Sequence, residues 1–232
     1  MKTLIIRLTA PLQSYGNEAT FNRRTSYHYP SKSAVLGMVA AALGYRRDDS
    51  RIVDLNKLLM AVRIDQNGQT LTDFQIIEYD QKSQKRSLSY RDYLQDAVFL
   101  VALAGNDDQI DLIQEALHHP KFQLFLGRRS NAPAGVFQTK VIKDQSPVDV
   151  LKTYDWQASE WYQKRWKREN YSAEIIADAN LLSDTRSELV RDNIGSFSQI
   201  HRYHSYRAVS TVHTELKNPF YEGTSHDIMA NL

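Results

Sequence analysis

At 232 residues, with 42% hydrophobic and 24% charged residues, the chain has the composition of a globular protein able to bury a substantial core. Its apolar runs fall short of the roughly eighteen residues a membrane span needs, and it has no cysteine, which excludes disulfides, thiolate metal sites and a catalytic thiol. The net charge of +2 conceals segregation: Ala19–Arg47, Gln81–Arg91 and Lys121–Lys143 hold five, four and five Lys/Arg and no acid, leaving the rest of the chain at −12.

The first element predicted is a strand over Thr3–Leu8, a short run rich in β-branched residues. The preceding and following residues, MKTLIIRLTAPLQ, are broken by Arg7 and Pro11, so no signal peptide is expected and a cytoplasmic location is the plain inference. A polar loop with Pro11, Gly16, Arg23 and Arg24 follows. Pro30 disfavours helix at Tyr29, Ser31 or Ser33 is the natural N-cap of a helix over Ala34–Leu43, and Gly44 is its terminator. Apolar residues cover most of that helix, so it is expected to be buried. A short helical stretch near Ile52–Leu58 leads to a second strand, Leu59–Asp65, and QNGQ reads as a hairpin-type turn. TDFQIIEY is another strand, and Asp80–Gln95 turns polar, basic and tyrosine-containing. Ala97–Leu103 is a buried strand, Asp107 or Asp108 caps a helix to about Leu117, and VFQTKVI is the next strand. That order, strand-helix-strand, excursion, strand-helix-strand, predicts an α+β, ferredoxin-like βαββαβ fold with a basic insertion before the third core strand. From about Asp144 the periodicity weakens into a smaller unit with β content, including an alternating stretch around SFSQIHRYHSYRAVSTVHTEL.

Three constellations bear on chemistry. The start of the first helix offers unpaired N–H groups beside Ser31, Lys32, Ser33, Arg23 and Arg24, either a phosphate pocket or an ordinary capped core helix. LGRRSNAPAG supplies Gly127, Arg128, Arg129 and Ser130, a flexible loop with planar bidentate donors; the spacings of Walker and dinucleotide-binding loops are absent. YDQKSQKRSLSYRDYLQD combines Lys82, Lys85, Arg86 and Arg91 with tyrosines, suited to neutralising and stacking a single strand, or simply a solvated hairpin. Basic windows interleaved with Tyr, Phe and His mark a polyanion-binding face. A metal-free ribonuclease would need a base, for which His28, His201 and His204 are candidates, but no spacing singles one out. No His/Asp/Glu cluster has metal-ligand spacing, and neither metal nor cofactor is expected.

Several stretches, IIRLTAPLQSYG, RRTSYHYPSKSAVLGMVAAALGYRRDD, VRID with TDFQ, YRDYLQDAVFLVAL and LGRRSNAP, together resemble the CasD-type subunits of the type I-E CRISPR interference complex, Cascade, within the RAMP group of RNA-binding ferredoxin-like proteins. The resemblance runs from Thr3 to about Lys143. It implies a non-catalytic subunit that caps the complex, grips the repeat-derived 5′ handle of CRISPR RNA, and touches backbone (CasC-type) and large (CasA-type) subunits, meeting target DNA only through the complex. It implies a palm over residues 1–143 carrying a thumb over about 66–96, with 144–232 as a C-terminal extension. Gln13, Tyr15, Arg23, Arg24, Tyr27, Ser31, Lys32, Ser33, Arg46, Arg47 and Gly127–Ser130 would line the handle site. Lys82, Lys85, Arg86, Arg91 and Tyr93 would clamp RNA beside a neighbouring subunit. The alternative is a metal-independent endoribonuclease trimming precursor RNA, as in the type I-C relatives.

Overall fold

The computed structural model describes residues 1–16, 23–80, 85–183 and 185–223. In chain order the elements are β1 (Lys2–Thr9), β2 (Leu12–Gln13), β3 (Tyr15–Gly16), β4 (Arg23–Arg24), β5 (Ser26–Tyr27), α1 (Lys32–Leu43), α2 (Arg51–Asp54) and β6 (Leu59–Gln66). They continue as β7 (Gln69–Asp80), β8 (Lys85–Gln95), β9 (Val98–Gly105), α3 (Asp107–His118), β10 (Gln138–Lys143), α4 (Pro147–Thr153) and α5 (Glu160–Arg165). The last described strands are β11 (Asn170–Asp178), β12 (Ser187–Ser196) and β13 (Tyr203–Lys217).

The fold is mixed α/β on a mostly antiparallel framework. A seven-stranded sheet has the order β10-β1-β9-β6-β11-β13-β12, and its pairings are antiparallel. Period-two alternation in β1 divides its side chains between two cores. Leu4, Ile6 and Leu8 join α1 and α3 on one face, through Val35, Leu36, Val39, Ile110, Ile113 and Leu117. Ile5 joins Val148 and Leu151 of α4 on the other, with Ala61, Leu100, Ala102, Ile175 and Ala177. Covering both faces explains why β6 and β9 read as nearly continuous apolar runs. The C-terminal third continues the same sheet, since Ile175–Ala177 of β11 pair with Ala61–Arg63 of β6.

One charge lies inside the second face. Arg63, 0% exposed, donates from Nε and Nη2 to both oxygens of Asp65 at 2.6 and 2.8 Å, and its remaining N–H groups bond the carbonyls of Leu151, Tyr154 and Asp155. Asp65 in turn accepts from the Gln157 backbone at 2.6 Å. Every donor of the fork is thereby used, the condition under which a buried ion pair is tolerated. The network pins the chain after α4 across the sheet, where Trp156 stacks on Tyr171 with ring centroids 4.6 Å apart.

Three local readings change. The QNGQ segment is not a hairpin turn: β6 pairs with β9, whereas β7 pairs with β8, so the chain passes there from the main sheet into a second one. Gly68 permits it, because a Cβ would lie 2.8 Å from that of Ala97. Helix α3 is capped by Asn106, whose side chain accepts from Asp108 N at 3.0 Å. Helix α1 begins at Lys32 rather than Ala34, and the hydroxyl of its N-cap residue Ser31 makes no capping bond.

Candidate nucleic-acid interface

Strand β8 is the spine of the site. On one edge it pairs with β7 to form a long two-stranded arm; at the arm's root it pairs with β2, Gln13 opposite Leu94, and with β4 in parallel, Arg23 opposite Tyr90 and Arg24 opposite Arg91. The pairing brings cations sixty-seven residues apart in sequence into register.

The Gly127–Ser130 loop arrives from the other side. Gly127 has φ +87°, and a Cβ there would sit 1.6 Å from the Ser14 carbonyl oxygen, so only glycine allows this approach. Ser14 N donates to Leu126 O at 3.3 Å, while Asn131 closes the loop through Leu126 O and Arg128 O. Arg128 is thereby aimed at β8: its Nε donates to Ser14 Oγ at 3.3 Å and its guanidinium lies 5.3 Å from the Tyr93 ring centroid. Burial pushes the Arg128 guanidinium below its ordinary range, and the neighbouring charges of Arg91 and Arg24 push it further, against Tyr93 and Asp92. Three cations from three segments therefore lie close enough to feel one another.

Beside them opens a cleft of about 590 Å³ lined by Thr25, Ser26, Tyr27, Thr70, Asp92, Tyr93 and Leu94. Asp92 Oδ1 accepts from Thr72 Oγ1 at 2.8 Å, and Oδ2 lies 3.5 Å from Arg23 Nη2. Asp92, Thr25, Ser26 and Thr70 were not singled out from the sequence. The available signal was Asp92 itself, an acid set between Arg91 and Tyr93 at the end of a basic window.

Other expected residues sit elsewhere. Gln13 and Tyr15 are internal: Gln13 Nε2 donates to Ala97 O at 2.7 Å, Tyr15 OH donates to Gln13 Oε1 at 2.6 Å, and burial pushes the Tyr15 phenol up. They shape the loop from beneath. Lys32 is 4% exposed; its ammonium donates to Asp178 Oδ2 at 3.0 Å and its backbone N–H to Asp192 Oδ2 at 2.7 Å. Arg207 completes a group of two cations and two anions, donating to Asp192 at 2.7 and 2.9 Å and to Asp178 at 2.7 Å. The anion at the start of α1 is thus the chain's own Asp192, with Ser31 and Ser33 hydroxyls 3.4 Å apart beside it. Arg46 and Arg47 are exposed past the opposite end of α1, about 18 Å along its axis. Arg129 and Ser130 are exposed on the loop; Lys85 and Arg86 are exposed on the arm, Arg86 facing Glu78 at 3.6 Å. Lys82 lies outside the described residues. Lys140 and Lys143, also in a basic window, lie away from the cleft on edge strand β10.

Midway along the arm, Phe74 opposite Tyr90 and Ile76 opposite Leu88 share one face, and all four are exposed. A two-stranded ribbon with an open apolar face is marginal alone and marks a contact surface. Of the histidines considered as bases, His28 Nε2 lies 3.9 Å from Glu174, His201 is exposed, and burial, reinforced by Arg202, pushes His204 down. Among the described residues there is no group of three or more side chains that could hold a metal ion, and no helix is long and apolar enough to cross a membrane.

Residues 3–210 match the protein family described as CRISPR-associated protein (Cas_Cas5). The Cascade subunit CasD of Escherichia coli (strain K12) is 31% identical over 146 residues, covering 55% of this chain and 65% of that protein, so the match spans just under two thirds of the relative's length. A chain from a solved CRISPR RNA-guided surveillance complex superposes with a TM-score of 0.76 at 28% identity, over 98% of this chain and 96% of that one. A second solved chain, described as a Cas protein, gives 0.66 at 28% identity over 95% and 98%.

Proposed function

The chain belongs to the CRISPR-associated Cas5 protein family, and from that membership we propose that it is a non-catalytic subunit of a Cascade-type, RNA-guided surveillance complex in antiviral defence, holding the 5′ handle of the CRISPR RNA. The observation that carries this reading is the meeting of Arg24, Arg91 and Arg128 beside the Tyr93 ring at the mouth of a polar cleft. Cations neutralise phosphates and release counterions, while half-buried Tyr27 and exposed Tyr90 offer stacking surface to unpaired bases; both suit a single strand rather than a duplex. Arg23, Arg24, Tyr27, Arg91, Tyr93 and Gly127–Ser130 form the proposed handle site, Arg46 and Arg47 an outlying contact, and Gln13 and Tyr15 its internal support, whereas Ser31, Lys32 and Ser33 belong to the structural ion network at the start of α1.

The order β10-β1-β9-β6 with α1 and α3 on one face supports reading residues 1–143 as a ferredoxin-like palm, the β7–β8 arm as its thumb, and 144–232 as an extension. The exposed apolar face of the arm supports contact with a neighbouring backbone (CasC-type) subunit; a large (CasA-type) subunit and, through the complex, target DNA complete the proposed partners, in the cytoplasm. The test is co-purification and binding. The tagged chain expressed with its neighbouring genes brings down stoichiometric partners and guide-length RNA. Replacing Arg128 and Arg129 together with Ala weakens handle-RNA binding, and unchanged affinity at physiological salt removes the loop from the site. Repeat-containing precursor RNA incubated with the pure chain in EDTA stays intact; a discrete product abolished by a His28→Ala or His204→Ala change overturns the non-catalytic assignment.

A further inference from the structure

We propose that the cleft between β5 and the root of β8 is a nucleobase pocket that takes one unstacked base by its amino-bearing edge, guanine first, with Asp92 as the acceptor that selects it. This rests on the RNA-binding reading above and adds to it the chemistry by which one nucleotide is told from another.

The cleft, about 590 Å³, falls in the size range of small-ligand sites and exceeds what a single base needs, leaving room for its ribose. Its lining is unlike its rim. Arg23 stands beside it, 3.5 Å from Asp92, and Arg128 lies over Tyr93, with Arg24 and Arg91 paired next to them, whereas among the described residues the lining is Thr25, Ser26, Thr70, two tyrosines, Leu94 and one carboxylate, Asp92, 7% exposed. A carboxylate at that position repels a phosphate and attracts an N–H donor, so rim and lining divide the nucleotide between them. The rim holds the backbone. The lining holds the base.

Asp92 also keeps acceptor capacity. A carboxylate offers about four lone-pair sites. Thr72 Oγ1 takes one on Oδ1 at 2.8 Å; the nearest cation, Arg23 Nη2, stands 3.5 Å from Oδ2, well beyond the roughly 2.7–2.9 Å of a charge-assisted bond. Guanine presents N1–H and N2–H₂ side by side, the donor pair that matches a carboxylate's two oxygens. Uracil presents two carbonyl oxygens on either side of a single N–H, which the same carboxylate repels. Tyr27, half-buried at the cleft, provides the aromatic surface that holds an unstacked base in single-strand recognition, while Tyr93, 6% exposed with Arg128 over its ring, belongs to the wall.

The experiment uses the full chain and three uridine heptamers of equal charge, with uridine, guanosine or inosine at the central position, compared by fluorescence anisotropy at one low salt concentration. Equal charge cancels the phosphate contribution. The guanosine heptamer is expected to bind about tenfold more tightly than the all-uridine one, the effect of a good bidentate pair; inosine, which lacks the N2 amino group, loses much of that gain. In Asp92→Asn the guanosine preference collapses, while the all-uridine heptamer binds as well or better because a negative charge has gone. Equal wild-type affinities for the three heptamers, or a preference that survives in Asp92→Asn, overturns the pocket alone, and the wild-type comparison stands whether or not the variant folds. Failure of every heptamer to bind overturns the RNA-binding reading along with it.

Discussion

Replacing Asp192 with Ala separates two roles for the start of α1, a phosphate site or a structural ion network. Asp192 is 2% exposed and accepts three bonds: from Lys32 N at 2.7 Å, and from Arg207 Nε and Nη2 at 2.7 and 2.9 Å. Removing it strands a buried helix N–H and leaves Arg207 with Asp178 as its remaining carboxylate partner at 2.7 Å. Breaking a buried pair from one side costs about 3–5 kcal/mol, a large share of the roughly 5–15 kcal/mol by which a domain is stable. With a urea slope of about 2–3 kcal/mol per molar, the midpoint should fall by about 1–2.5 M at unchanged slope. Asp192→Asn retains one acceptor and should lose less. Lys32→Met should also lower the midpoint while leaving RNA affinity within about twofold, since its ammonium already faces Asp178. A loss below about 1 kcal/mol for Asp192→Ala, or a Lys32→Met variant that folds normally and loses RNA, would refute the structural reading and return this helix end to the binding site.

Gly127→Ala should cost far more than Gly135→Ala, although both glycines have positive φ, +87° and +85°. At Gly135 a Cβ meets nothing within 4 Å, so only the left-handed backbone penalty of about 1 kcal/mol applies. At Gly127 the Cβ collides with Ser14, so loop and RNA binding should fail together; equal thermal shifts for the two variants would contradict the packing. His204 supplies a pH signature. Burial, then Arg202 and Arg191 against Asp192, lowers its folded pKa below 6.5, so the unfolded chain binds the proton first and stability falls as pH drops below 6.5 toward the folded value. Urea midpoints measured from about pH 7.5 to about pH 5 should therefore decline less in His204→Gln than in wild type; parallel profiles would show that His204 contributes nothing. On the arm, Phe74→Ser with Tyr90→Ser should leave the isolated chain as stable as before, since both are exposed, yet reduce recovery of the neighbouring backbone subunit; undiminished recovery would free that face of any role.

Much of the framework was legible because its signals are local. β1, β6 and β9 are apolar runs bounded by turns, and the basic insertion before β9 stood out by composition. What was not legible is held by partners distant in sequence. Nothing near Ser31 shows that α1 is capped by a carboxylate 160 residues away. Asp178 and Asp192 are buried against Arg207 with nothing in their own neighbourhoods to mark the set, and the same ionic residues in β11 and β12 break the alternation a half-buried strand should show. The same limit applied to the site. Arg23, Arg24, Arg91 and Arg128 were marked as basic, but only strand pairing and the Ser14–Gly127 approach bring them together, and only they reveal Asp92 as the acid in their midst.

The most direct test of the central claim, that cations from three separate segments grip one RNA strand, is the salt dependence of handle-RNA affinity in wild type and in Arg24→Ala, Arg91→Ala and Arg128→Ala. Each phosphate contact contributes about 0.7 to the slope of log affinity against log salt for single strands, so each variant should flatten the slope by about 0.7 and the triple variant by about 2. Slopes that stay at the wild-type value in all three variants would show that these arginines, though neighbours, do not share the strand.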